Sequence, residues 1–263
     1  MAELRKKVRC FLFDMDGTLY LGDNLLPGAK LFLSELDDRN VPYYLLTNNS
    51  SRSRADYVAK LDRLGLRTPA ERIFSSGEAT AIYLNKKGGG KRIFMVGTPS
   101  LEKEFEDYGF QLVQEDPNFA VLGFDTTLTY EKLWKLCDFA KDGVPYIATH
   151  PDINCPTETG FMPDIGAMMA FVETSTGRKP DVIVGKPNPP IIEAIVEKTG
   201  YDVNQLAMVG DRLYTDIAMG KTGITTILVL SGETKESDVQ SADHKPDYVV
   251  ENIQGLRELY FSL

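Results

Sequence analysis

Val8-Arg9-Cys10-Phe11-Leu12-Phe13 runs directly into Asp14-Met15-Asp16-Gly17-Thr18. A short, mostly apolar run reads as a strand buried on both faces. Chemistry in open parallel sheets gathers just past the carboxyl ends of such strands. Eight more runs repeat the pattern, at residues 41–46, 72–74, 92–96, 120–124, 146–148, 182–184, 206–209 and 225–230. Helix-period segments lie between most of them. Residues 54–64 set Ala55, Val58, Leu61 and Leu64 on one face, and residues 191–198 group Ile192, Ile195 and Val196 ahead of Gly200 as a C-terminal stop. The alternation predicts an α/β fold with a parallel sheet.

Four of the nine runs end in residues that carry chemistry. The first ends in Asp14 and Asp16, the second in Thr47-Asn48-Asn49-Ser50, another in Gly185-Lys186-Pro187, and the run at 206–209 in Gly210-Asp211, with Asp216 beyond. In an extended segment residues two apart share a face, so Asp14 and Asp16 address one reacting atom, and Gly17 lets the chain turn. A carboxylate can attack phosphorus and form an aspartyl-phosphate. It faces a dianion, so positive charge must stand nearby. Asp14 with Asp211 suits Mg²⁺, Lys186 adds an ammonium, and Thr47 with neighbouring backbone donates to phosphoryl oxygens. Asp16 is left for proton transfer.

Spacing divides the chain. Asp14 to Thr47 is 33 residues and Lys186 to Asp211 is 25, each one helix plus one strand, but Thr47 to Lys186 is 139. That gap predicts an inserted domain, with Gly88-Gly89-Gly90 and Gly177-Arg178-Lys179-Pro180 as loops near its limits. The expected division is a core of residues 1–80 and 181–263 around an α/β insert at 81–180.

The four motifs, in order, resemble those of the haloacid dehalogenase superfamily: Phe13-Asp14-Met15-Asp16-Gly17-Thr18-Leu19-Tyr20, then Thr47-Asn48-Asn49-Ser50, Gly185-Lys186-Pro187, and Gly210-Asp211-Arg212-Leu213-Tyr214-Thr215-Asp216. The forms of the second and third motifs and the long insert resemble the NagD-like, p-nitrophenylphosphatase-like branch. The resemblance implies a Rossmann-like core with an α/β cap and Mg²⁺-dependent hydrolysis of small phosphate monoesters. By the same resemblance Asp14 is nucleophile and metal ligand. Asp16 is acid/base and binds metal through its backbone carbonyl. Thr47, Asn48 and Lys186 bind phosphate, Asp211 ligates metal, and Asp216 supports it from the outer shell. Asp216 has a second reading, as the cap of a helix beginning at Ile217. Relatives often carry Thr-Asn-Pro-Asp where this chain has Thr149-His150-Pro151-Asp152. His150, with Asp152 and Asn154 in its loop, therefore either meets substrate or is a hydrogen-bonded structural element.

Composition narrows the partners. The 263 residues carry 29 Lys+Arg against 38 Asp+Glu, a net charge of −9 that disfavours nucleic acid polymers and anionic membranes. Three scattered cysteines are no disulfide framework, two histidines are too few for a multi-histidine metal site, and no apolar run approaches a membrane span. A cytosolic enzyme acting on a small phosphorylated metabolite is expected. Caps in this branch can serve as dimer surfaces, which admits a homodimer. Trp134, Phe139 and Met168-Met169 read as helix core, and the acidic run from Ser231 to Ser241 as a solvated loop. Asp16 argues against a dehalogenase, since a halide leaves without a proton. A phosphomutase shares the motifs but returns the phosphoryl group to a sugar. A receiver-like phospho-acceptor needs only about 120 residues and no insert.

Overall fold

A computed structural model describes residues 2–157 and 160–261. Two compact units divide the chain: Met1–Thr47, Ala55–Phe74 and Ile195–Leu263 form the first, Asn48–Arg54 and Ser75–Ala194 the second.

The first unit is built on a six-stranded sheet in the order Tyr248–Val250, Thr225–Val229, Leu206–Gly210, Cys10–Phe13, Tyr43–Thr47, Ile73–Ser75. Pairing from Tyr248–Val250 across to Tyr43–Thr47 is parallel. Cys10–Phe13 is central and wholly buried because it is covered on both faces. Phe11 and Phe13 pack edge-on against Phe32, and Phe11 against Tyr260, at 4.9–6.0 Å between ring centres. Those partners come from helices Ala29–Asp38 and Ile253–Phe261, which turn Phe32, Leu33, Leu36, Leu256 and Tyr260 inward. The expected strand at 8–13 begins only at Cys10, because the Val8 N–H closes a bond to Leu4 O at the end of helix Ala2–Lys7.

The second unit has its own five-stranded parallel sheet, in the order Val182–Ile183, Tyr146–Ala148, Phe119–Leu122, Arg92–Val96, Gln111–Leu112. Helices Tyr130–Lys141 and Ile165–Thr176 bury Leu133, Leu136, Cys137, Ile165, Met168 and Val172 against it. Trp134 departs from the expected core role: it is 61% exposed, one position past the buried Leu133 and so on the outer face of its helix. An antiparallel hairpin, Asn154–Thr157 with Gly160–Pro163, precedes Ile165–Thr176.

All nine expected runs are strands, with ends displaced by at most two residues. Helix Arg54–Arg63 buries Leu61 from the expected face, with Val58 and Leu64 partly buried on the same core; Ala55 is exposed, and Tyr57 is buried beside them. Among the described residues no helix is long and apolar enough to cross a membrane.

Candidate active site

Two adjacent parallel strands of the first unit deliver its acids. Cys10–Phe13 ends at Asp14, whose N–H bonds Val209 O at 2.8 Å, and Leu206–Gly210 ends at Asp211. Asp14, Asp211 and Asp216 each bring a carboxylate oxygen into one group, with all three atoms within 4.8 Å of one another. Asp14 is half-buried, Asp211 is 2% exposed and Asp216 is 0% exposed. Three carboxylates so close and so poorly hydrated repel one another unless positive charge offsets them. Arg212 supplies some. Burial works against its charge, but the carboxylates of Asp14, Asp211 and Asp216 and the Tyr214 phenol hold its guanidinium protonated beyond the ordinary arginine range.

Local backbone fixes these acids. Asp211 Oδ2 accepts the Glu233 N–H at 2.7 Å, and the Asp211 carbonyl accepts the Thr234 N–H at 3.3 Å. Ser231 Oγ donates to Gly17 O at 2.9 Å, and Arg212 Nε lies 3.1 Å from Glu233 Oε2. The segment expected to be a solvated loop thus begins, over Ser231–Thr234, as a wall of this acid group. Asp216 does stand at the start of the helical turn Ile217–Thr222, but its side chain makes no capping bond; Oδ2 accepts the Arg212 N–H at 3.2 Å. Gly17 has φ +82°, and a methyl group added there would lie 2.4 Å from Asp211 Oδ2. The backbone that turns after the two aspartates therefore packs directly on the third acid.

The donor set is all carboxylate oxygen, the hard chemistry that suits Mg²⁺ or Ca²⁺ rather than a thiophilic metal. The group is shaped before any cation arrives, because backbone N–H donors and the close approach of Gly17 hold it. The residues therefore fit a divalent ion.

Asp16 differs from Asp14. Its side chain is 60% exposed, 4.0 Å from Lys60 Nζ. Lys60 in turn sits 4.0 Å over the Tyr20 ring, a cation–π contact that keeps the ammonium beside Asp16.

The remaining motifs run from Thr47, the last residue of its stretch of the first unit, into the second unit. The strand Tyr43–Thr47 ends at Thr47, which is 8% exposed, and the chain passes into Asn48, 5% exposed. Asn48 Oδ1 accepts the Lys186 N–H at 2.8 Å, and Asn48 Nδ2 donates to Lys186 O and to Asp152 Oδ1, each at 3.0 Å. One amide thus grips the lysine backbone as a neighbouring strand would. The Asn48 side chain has spent both donor hydrogens. Lys186 is 2% exposed, so its charge is weakly screened by water. Ser50 Oγ accepts the Phe124 N–H at 2.9 Å and lies 3.0 Å from Thr149 Oγ1.

His150 is 0% exposed, with Asp164 Oδ1 3.0 Å from Nε2 and Thr149 Oγ1 3.0 Å from Nδ1. Asp152 is half-buried on Asn48, and Asn154 is exposed where the hairpin begins. Asp164, Ser76 and Glu233 carry no motif that singles them out. Arg212 has a sequence signal, its place inside the fourth motif between Asp211 and Asp216.

Comparison with known proteins bears on this geometry. Residues 11–111 match the profile of the haloacid dehalogenase-like hydrolases, and residues 183–256 a second profile described as HAD-hydrolase-like. The chain is 34% identical over 245 residues to an acid sugar phosphatase of Staphylococcus aureus, covering 92% of this chain and 94% of the relative. Its fold is similar to that of a 4-nitrophenylphosphatase from Thermotoga maritima, with TM-score 0.93, 50% identity, and coverage of 98% and 99%. It is also similar to a glycerol phosphate phosphatase from Mycobacterium tuberculosis solved in complex with calcium, with TM-score 0.88, 30% identity, and coverage of 96% and 76%.

Proposed function

The chain belongs to the haloacid dehalogenase-like hydrolases, in their NagD-like branch, and from that premise we propose that it hydrolyses small phosphate monoesters through an aspartyl-phosphate on Asp14. The observation that carries the reading is the group Asp14–Asp211–Asp216, assembled at the carboxyl ends of neighbouring parallel strands. Relatives named for a sugar phosphate, a nitrophenyl ester and a glycerol phosphate support a broad ester class, defined by the phosphate more than by what it is attached to.

An Asp14 carboxylate oxygen attacks phosphorus, the P–O bond to the alcohol breaks, and the phosphoryl group passes to Asp14. Asp16 gives its proton to the departing alkoxide. It then takes a proton from water as that water attacks the aspartyl-phosphate, releasing inorganic phosphate and restoring both acids. The exposure of Asp16 suits this work, since it must exchange protons with both an alcohol and water. Thr47, the backbone N–H of Asn48 and the Lys186 ammonium hold the phosphoryl oxygens. A divalent cation, Mg²⁺ in our reading, held by Asp14, the Asp16 carbonyl and Asp211 with Asp216 behind, would neutralise phosphoryl charge. Residues 81–180 act as the cap that selects the ester.

Asp14→Asn tests the nucleophile. The variant should release no phosphate from p-nitrophenyl phosphate while its circular dichroism matches that of the parent. Near-normal turnover would overturn the assignment.

A further inference from the structure

We infer that His150 is a positioning residue for Lys186, an inference that rests on the phosphatase reading above and extends it to a residue outside the four motifs. The imidazole is buried completely, and each ring nitrogen has protein partners. Nε2 lies 3.0 Å from Asp164 Oδ1. Nδ1 lies 3.0 Å from Thr149 Oγ1 and 3.4 Å from Ser76 Oγ.

One order of donors satisfies the whole chain of bonds. Phe124 N–H donates to Ser50 Oγ, Ser50 to Thr149 Oγ1, Thr149 to His150 Nδ1, and His150 Nε2–H to Asp164. Asp164 is 3% exposed and its Oδ1 also accepts the Ile165 N–H at 2.6 Å, which fixes the first turn of helix Ile165–Thr176. The ring therefore ties the start of a twelve-residue helix to the loop that carries Thr149.

That loop bears on the lysine by two routes. The first is direct. The Gly185 N–H bonds Thr149 O at 2.7 Å, and a methyl group added at Gly185 would lie 2.6 Å from His150 Cβ and 2.7 Å from Asn48 Oδ1. The backbone just before Lys186 thus lies wedged between His150 and Asn48. The second route is packing alone: the Ser76 hydroxyl spends its hydrogen on the Asn48 carbonyl and lies 3.4 Å from Nδ1, so the ring backs the residue that bonds Asn48, while Asn48 grips Lys186 at both its N–H and its C=O. His150 meets the Gly185 backbone through its Cβ and stands beside Asn48 through Ser76, while its ring, anchored at both nitrogens, is out of reach of solvent. Its effect falls on how the phosphate is held and not on which alcohol it carries.

The test uses His150→Phe, which keeps a ring of similar volume without nitrogens, beside Asp164→Ala and Asp164→Asn. The asparagine retains an oxygen for both the Nε2–H and the Ile165 N–H. Steady-state rates are measured on p-nitrophenyl phosphate, a hexose phosphate and a nucleoside monophosphate, with inhibition by inorganic phosphate and the thermal midpoint alongside. We expect His150→Phe and Asp164→Ala to lower kcat/KM by about tenfold to a hundredfold, as small misplacements of a binding group do. The factor should be the same for all three esters, with weaker inhibition by inorganic phosphate. Asp164→Asn should restore most of the rate. Factors that differ between esters would make His150 a selector of the organic group and overturn the inference. So would a lowered thermal midpoint with unchanged kinetics, the outcome of a merely structural role. If His150→Phe does not fold, the Asp164 pair decides alone, because both variants keep the histidine. A wild-type chain inert toward all three esters overturns the phosphatase reading and this inference with it. An active wild type with unaffected variants overturns the inference alone.

Discussion

A single side-chain amide, that of Asn48, holds Lys186 by both its backbone N–H, at 2.8 Å, and its carbonyl, at 3.0 Å. The two residues are 138 apart in sequence, so a local contact here joins the second and third motifs. Asn48→Ala leaves two buried backbone groups and the Asp152 carboxylate short of a partner. The expected cost is about 2 kcal/mol, at the usual scale of 1–3 for an unmade buried bond. Urea unfolding should show a lower midpoint at an unchanged slope, and phosphate release should fall with it.

The crowding of Asp14, Asp211 and Asp216 makes a prediction about charge. In EDTA, Asp216→Asn removes one of three repelling carboxylates while keeping an oxygen for the Arg212 N–H. Its thermal midpoint in chelator should therefore equal or exceed that of the parent. With millimolar Mg²⁺ the order should reverse, because the parent gains more from the cation. The same titration should show parent activity lost in EDTA and restored by Mg²⁺. Metal-independent turnover would remove the roles given to Asp211 and Asp216.

Gly17 tests the packing of the turn on the acids. Alanine there would need an unfavourable φ of +82° and would set Cβ 2.4 Å from Asp211 Oδ2. Gly17→Ala should cost about 1–3 kcal/mol in stability. It should also abolish most turnover, since Asp211 must shift to make room. Wild-type rates from this variant would mean that the Asp211 carboxylate needs no fixed position.

Alkaline pH gives a separate handle. Burial pushes the Cys10 thiol up to about 12 from an ordinary 9.0, with Arg72 pulling weakly the other way. Between those values the unfolded chain loses a proton that the folded protein keeps, so stability is intact below pH 9 and falls as pH rises toward 12. Burial likewise raises the Tyr146 and Tyr260 phenols, so the decline steepens. Cys10→Ala should flatten the alkaline limb by up to about 1.4 kcal/mol per pH unit. Iodoacetamide should modify the half-buried Cys155 in native protein and reach Cys10 and Cys137 only in urea.

Much of the fold is legible because the strands of parallel sheets are apolar on both faces and stand out as runs, as Cys10–Phe13 and Leu206–Gly210 do. The acids show because they stand at the ends of those runs. Ser231–Thr234 misleads for the opposite reason. Polar composition implies solvent, but what this segment gives Asp211 is backbone, the Glu233 and Thr234 N–H groups, beside the Ser231 hydroxyl on Gly17 O. Those two donors carry no side-chain signature. Asp164 is hidden as well, since its role depends on a histidine fourteen residues away that only the folded loop brings beside it. Helix Arg54–Arg63 shows its core face through Val58, Leu61 and Leu64, but the burial of Tyr57 is not legible, because a phenol with a polar tip does not read as an apolar position.

The His150–Asp164 bond also bears on how this chain can be altered. Either residue alone, set into a relative that lacks the other, would leave a buried polar group stranded. A loop exchanged between relatives should therefore transfer cleanly only when both travel in the same graft.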